Sequence, residues 1–179
     1  MTPSEPGSGA ALWPAYLDFY RETIAEAMLA LPESEQRASL LPSGWSPIEL
    51  LSHVVHMEQR WFVWGFLGED VADPWGDWTT AEPWTGEDET EPDARWQVPD
   101  DVTAEALVER LRAGGRRTTE VLTTHPLDEA APAGPRFDEG PPTLEWICFH
   151  VLQEYARHAG HLDIAVELAG AEAPGLRSR

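Results

Sequence analysis

One segment near the C-terminus constrains the fold more than any other. Between Thr143 and Leu168 the residues repeat at helical spacing, and His150, Glu154, His158 and His161 share one stripe with Ile147, Ala165 and Leu168. At about 100° per residue, the four titratable positions lie within roughly 80° of arc. A face that carries apolar residues turns inward, and an interior does not accept a carboxylate and imidazoles without partners. A divalent metal ion suits Glu154 and His158, because residues i and i+4 face the same way about 6 Å apart. The other outcome open to the stripe is a core held together by hydrogen bonds, with Arg157 drawing Glu154 into a surface ion pair.

Three more helices follow from the pattern. Leu12, Tyr16, Phe19, Tyr20, Ile24, Ala27, Met28 and Leu31 space a first helix that stops at Pro32. Ser46, Pro47 and Glu49 read as cap, first position and capping-box partner of a second helix that reaches Leu67, ahead of Gly68. Its inner stripe is Leu50, His53, Met57, Trp61 and Trp64. Thr103 caps a third helix to Thr124 with Leu107, Leu111, Val121 and Leu122 as its apolar positions, and Gly114-Gly115 in its middle predicts a break or a close backbone approach. Thr143 caps the last helix, which ends near Gly170. Four amphipathic helices with two long connections predict an all-α four-helix bundle over residues 11–170, flanked by a disordered tail at 1–10 and a C-terminal tail at 171–179.

The first long connection, residues 69–101, is rich in Asp, Glu, Pro and Trp. Trp75, Trp78, Trp84 and Trp96 read as a lid or wall over a cavity, the alternative being an acidic spacer folded back on the domain. The second, residues 126–142, predicts a short extended piece around Arg136–Asp138.

Composition excludes several function classes. Among 179 residues, 32 acidic against 12 basic ones give a net charge of −20, and no lysine is present, so a phosphate backbone is repelled and nucleic-acid binding is not expected. The single cysteine, Cys148, precludes an intramolecular disulfide and a multi-cysteine zinc site, and reads as core filling. No apolar run approaches the roughly 20 residues of a membrane span, and residues 1–10 lack the features of a signal peptide. A cytoplasmic location is the expectation. The zinc-protease pattern HExxH is absent, and no Glu is followed three residues later by His, which argues against di-iron chemistry.

Within that frame His53 on the second helix can join Glu154 and His158 on the fourth as a His/Glu/His set. Such a set leaves positions for water or substrate, as in catalytic zinc, and its nitrogen and oxygen donors also suit nickel, iron or manganese. His56, about 60° off the stripe on the same 100° rule, reads as a rim or structural residue.

The blocks GWSPIELLSHVVHMEQRWF and TLEWICFHVLQEYARHAGHLDIAVEL resemble the DinB-like superfamily. They resemble most the actinobacterial branch of mycothiol-dependent S-transferases and maleylpyruvate isomerases. The resemblance covers residues 11–170 and implies an up-down-down-up four-helix bundle with a long Trp-rich loop between the second and third helices. It implies His53, Glu154 and His158 as metal ligands, zinc first and nickel second, with His161 at the position after the last ligand in a catalytic role and His150 supporting the ligands.

The implied chemistry is transfer of a low-molecular-weight thiol to a small electrophile, with Arg60, Arg136 or Arg157 pairing with carboxylates of either. The isomerases carry a further C-terminal domain not found in this sequence, so a general thiol S-transferase is the expectation. A stress-related binding protein without catalysis and a metal-dependent hydrolase stay open as alternatives. A homodimer is expected from the abundance of tryptophan.

Overall fold

The computed structural model describes residues 11–42, 44–77, 98–134 and 136–170. The tails at 1–10 and 171–179, and Trp78, Trp84 and Trp96 of the first long connection, lie outside the described residues. The helices are α1 (Leu12–Ala30), a short α2 (Glu33–Gln36), α3 (Pro47–Glu58), α4 (Ala104–Thr124) and α5 (Leu144–Leu168). The fold is all-α, as expected. An isolated bridge between Ala130 and Thr143 stands in the second connection, where the extended piece had been expected at Arg136–Asp138; there the chain bends, with Gly134 N–H donating to the Phe137 carbonyl at 2.8 Å.

The caps behave as the sequence predicts. The Ser46 backbone N–H donates to the Glu49 carboxylate at 2.6 Å, and Pro47 occupies the first helical position. Thr103 and Thr143 accept from the backbones of Ala106 and Trp146 at 3.2 and 3.3 Å. The short α2 was not expected, since four residues are too few to show a period. Beyond Glu58 the helix continues in π-helical form from Gln59 to Phe66, with Leu67 N–H donating to the Phe62 carbonyl at 3.0 Å. Over two turns an apolar pattern cannot distinguish this wider winding from an α-helix, so the sequence reads it as regular.

α1 and α3 occupy opposite corners, and each packs against both α4 and α5. Trp13 meets Phe149 and Arg21 meets Tyr155, so α1 and α5 advance together. His53 meets His158 while Trp61 meets His150, so α3 runs against α5. Leu17, Ile24 and Met28 of α1, Leu50, Leu51 and Val54 of α3, Leu107 and Leu111 of α4, and Ile147 and Val151 of α5 fill the shared interior. Each such side chain stabilises the fold by roughly 1.5–3 kcal/mol relative to exposure.

At the middle of this interior the apolar pattern is interrupted by a polar hub. Glu58 accepts from Arg21 Nε at 2.9 Å, from Thr118 Oγ1 at 2.6 Å and from Tyr155 Oη at 2.6 Å, so one carboxylate joins α1, α3, α4 and α5. Burial alone would lower the proton affinity of the Arg21 guanidinium, but Glu58 beside it more than offsets that, and the net shift is upward. Burial likewise pushes the Tyr155 hydroxyl well up. Room for Arg21 comes from Gly115, where a Cβ would stand 2.8 Å from Arg21 Nε. α4 therefore passes Gly114-Gly115 unbroken, and the close approach is to a guanidinium.

Removing one partner strands the others in the core. Glu58→Ala is expected to cost about 3–5 kcal/mol, the scale for a broken buried ion pair. Tyr155→Phe, which deletes one hydrogen bond, should cost only about 1–2 kcal/mol. Urea unfolding followed by far-ultraviolet dichroism measures both, and a Glu58→Ala protein as stable as the wild type would contradict the hub.

Candidate metal centre

α3 presents His53 toward α5, and one helical turn on α5 separates Glu154 from His158. All three converge. One ligand atom from each lies within 4.8 Å of the others. His158 Nε2 stands 3.2 Å from Glu154 Oε2, and His53 Nε2 stands 4.0 Å from the same oxygen. The two imidazole rings meet edge to face, with centroids 4.9 Å apart. Both histidines are buried and Glu154 is partly so.

The electrostatics favour the ligating forms. The His158 ring at hydrogen-bond distance, and then His53 beside it, hold the Glu154 carboxyl far below the ordinary carboxylate range. Burial lowers the His158 pKa and outweighs the opposing pull of Glu154. The neutral His158 imidazole and the ionised Glu154 carboxylate, with His53 beside them, form a nitrogen and oxygen donor set that fits a borderline divalent ion such as zinc or nickel.

A further residue completes the arrangement and was not legible in the sequence. Asp77, fully buried, lies 2.8 Å from His53 Nδ1 through Oδ2 and is held from its other side by Arg60, whose Nη2 is 3.0 Å away. Burial alone would raise the Asp77 carboxyl, but the hydrogen bonds from His53 and Arg60 bring it below its ordinary value. Among the many acidic residues of the first connection, nothing in spacing or composition marks this one.

The flanking residues divide along the axis of α5. Toward its N-terminus His150 packs on Trp61, with centroids 4.2 Å apart, and stacks on Trp146 at 5.4 Å with a 9° interplanar angle. Burial foremost lowers the His150 pKa. Toward the C-terminus His161 is half-buried, with its ring 5.5 Å from that of His158 and 5.9 Å from Trp45. Arg136 lies against an aromatic group, its guanidinium carbon 4.7 Å from the Trp61 ring and 5.4 Å from Trp75.

One of the three arginines expected at substrate carboxylates is corrected. Arg60 is buried and committed to Asp77 and the Pro74 carbonyl, which takes it out of the set expected to meet substrate carboxylates. Arg157 is exposed, and Glu154 turns instead to the two histidines. His56, read as a rim or structural residue, takes the structural place: it is buried, its Nδ1–H donates to the Ser52 carbonyl at 2.9 Å, and Arg110 approaches Nε2 at 3.2 Å. Cys148 is buried and its thiol is pushed up to about 12, mainly by that burial, which matches core filling.

The residues from 13 to 170 match the mycothiol S-transferase family. The chain belongs to this family. The assignment agrees with the resemblance carried by the two helical blocks, and it covers the helices that supply His53, Glu154 and His158. No curated protein matches the chain. Among the described residues of this mycothiol S-transferase family member, no helix is long and apolar enough to cross a membrane.

The buried His56 sets a pH response. Burial lowers its pKa in the folded chain, so between that value and the unfolded value of about 6.5 the unfolded chain binds more protons. Its contribution is fully present above about pH 6.5 and fades as pH falls below it. The urea midpoint of metal-free protein should therefore drop between pH 7 and pH 5, and drop less in His56→Gln. Equal pH dependence in the two proteins would contradict the placement.

Proposed function

We propose that this protein is a metal-dependent thiol S-transferase that joins mycothiol, or a closely similar low-molecular-weight thiol, to small electrophiles. Membership of the mycothiol S-transferase family supports the reaction class. The convergence of His53, Glu154 and His158 within 4.8 Å is the observation that carries the metal dependence. We assign these three as the ligands, with zinc the first expectation and nickel the second, since three protein donors leave a position open for a thiol.

When bound, such an ion lowers the pKa of a thiol and so provides a nucleophilic thiolate at neutral pH. The chain's own side chains prepare the place. Asp77 bonds to His53, Glu154 stays ionised between two imidazoles, and burial keeps the His158 imidazole neutral. We assign His161 to proton transfer: it shares the α5 stripe, lies beside His158 and is half-buried, so a ring nitrogen can take the thiol proton and pass it to water. The rings of Trp61, His150 and Trp146 form an apolar wall on the opposite flank, suited to an uncharged electrophile. His150 supports the site through that wall.

Elemental analysis beside thiol-transfer kinetics tests the reading. His53→Ala, Glu154→Ala and His158→Ala should each lose the about one equivalent of metal that a three-donor site holds in the wild type. His161→Asn should keep its metal and lose about 10²–10⁴-fold in kcat/KM, the span of general acid–base catalysis. Full metal content in all three alanine variants, or an unaffected His161→Asn enzyme, would overturn the assignment.

A further inference from the structure

Residues 73–77 are pressed onto α3 and the π-helical stretch that follows it. Arg60 donates to the Pro74 carbonyl at 2.9 Å and to Asp77 at 3.0 Å, and the Trp75 ring covers its guanidinium at 4.5 Å. Trp75 in turn meets Trp64 edge to face, with centroids 5.9 Å apart. Gly76 marks how close the contact is: a Cβ there would fall 2.5 Å from Asp73 Oδ2 and 2.7 Å from His56 Nε2. The segment thus meets α3 at the His56 edge and the His53 ring, and the π-helical stretch at the Arg60 fork and the Trp64 ring.

The contact with His53 has a chemical consequence. An ionised carboxylate only accepts hydrogen bonds, so Asp77 at 2.8 Å requires the His53 proton to sit on Nδ1. That tautomer turns the Nε2 lone pair toward Glu154, 4.0 Å away. The carboxylate can hold this role only while Arg60 balances its buried charge, since an uncompensated buried charge is strongly destabilising. Orientation of a ligand, neutralisation of Asp77 and docking of a loop are therefore one event.

We propose that Asp77 is a positioning residue of the metal centre, acting through His53, and that the Arg60 clamp couples metal affinity to the docking of residues 73–77. This inference rests on the metal-centre reading given above. Binding free energies are reciprocal, so an ion at His53, Glu154 and His158 tightens the docked segment by the same factor by which docking tightens the ion. Partners that orient a ligating histidine in this way are worth about 10–100-fold in metal affinity.

The test uses the full chain and Zn2+ in competition with a chromophoric chelator, together with hydrogen exchange of the peptide that spans residues 71–77. Asp77→Asn should weaken Zn2+ binding by about 10–100-fold. Gly76→Ala removes no polar group, yet it should also weaken Zn2+ binding because it lifts the segment, and it keeps the test decisive if Asp77→Asn fails to fold. Glu69→Gln, at an exposed pair with Arg117, should leave Zn2+ affinity at the wild-type value. Zn2+ should slow exchange of the 71–77 peptide in the wild type and do so less in either variant. Wild-type affinity in both variants, or exchange indifferent to Zn2+ in the wild type, would overturn the coupling and leave the metal centre standing. A wild-type protein that binds no Zn2+ would overturn the metal-centre reading itself, and the coupling with it.

Discussion

A carboxylate in a protein interior has to be met by donors, and Glu58 is met from three directions. Arg21, Thr118 and Tyr155 reach it from α1, α4 and α5, while Glu58 itself closes α3. The desolvation of such a pair offsets much of its attraction, so the hub adds little net stability over a well-packed apolar alternative. What it provides is register. Apolar contacts tolerate a helix sliding by a fraction of a turn, whereas hydrogen bonds of 2.6 Å from Thr118 and Tyr155 do not. Glu58 lies five positions beyond His53, and Tyr155 immediately follows Glu154. Fixing the first pair of residues fixes the axial level at which the second pair meets.

That geometry concentrates titratable groups where burial would otherwise exclude them. Two imidazoles and a carboxylate converge on one point, and a second buried carboxylate, Asp77, secures one of the imidazoles from behind. Each carboxylate has its partner: Arg60 for Asp77, Arg21 for Glu58, the histidines for Glu154. The interior thus holds two polar clusters with different duties, one that aligns helices and one whose donors suit a metal ion. In a member of the mycothiol S-transferase family, the second cluster is the place where we propose that thiol transfer occurs.

Much of this was legible before any coordinates, because helices announce themselves by period and caps by residue type. The Ser46–Pro47–Glu49 start, the Thr103 and Thr143 caps and the four long helices all follow from local rules. Glu154 and His158 were legible because they share a stripe of one helix, and His53 because it lies on the inner stripe of another. The hub was not, since Arg21, Glu58, Thr118 and Tyr155 come from four helices and only their packing brings them together. Asp77 was hidden for the same reason: its partners His53 and Arg60 lie 24 and 17 residues away. Arg60 was misread because an arginine that neutralises a buried carboxylate looks, in sequence, like one waiting for a substrate. The π-helical turn left no trace in periodicity, although it carries Arg60, Trp61 and Trp64 to their partners.

In the proposed reaction, a metal ion held by His53, Glu154 and His158 takes a thiol as an added ligand. X-ray absorption at the zinc edge, recorded on the zinc-loaded protein with and without mycothiol, reads that ligand set directly. Nitrogen and oxygen neighbours at about 2.0–2.2 Å are expected in the protein alone, joined on addition of mycothiol by one sulfur at about 2.3 Å. A spectrum that mycothiol leaves unchanged, or one that shows sulfur before any thiol is added, would contradict it.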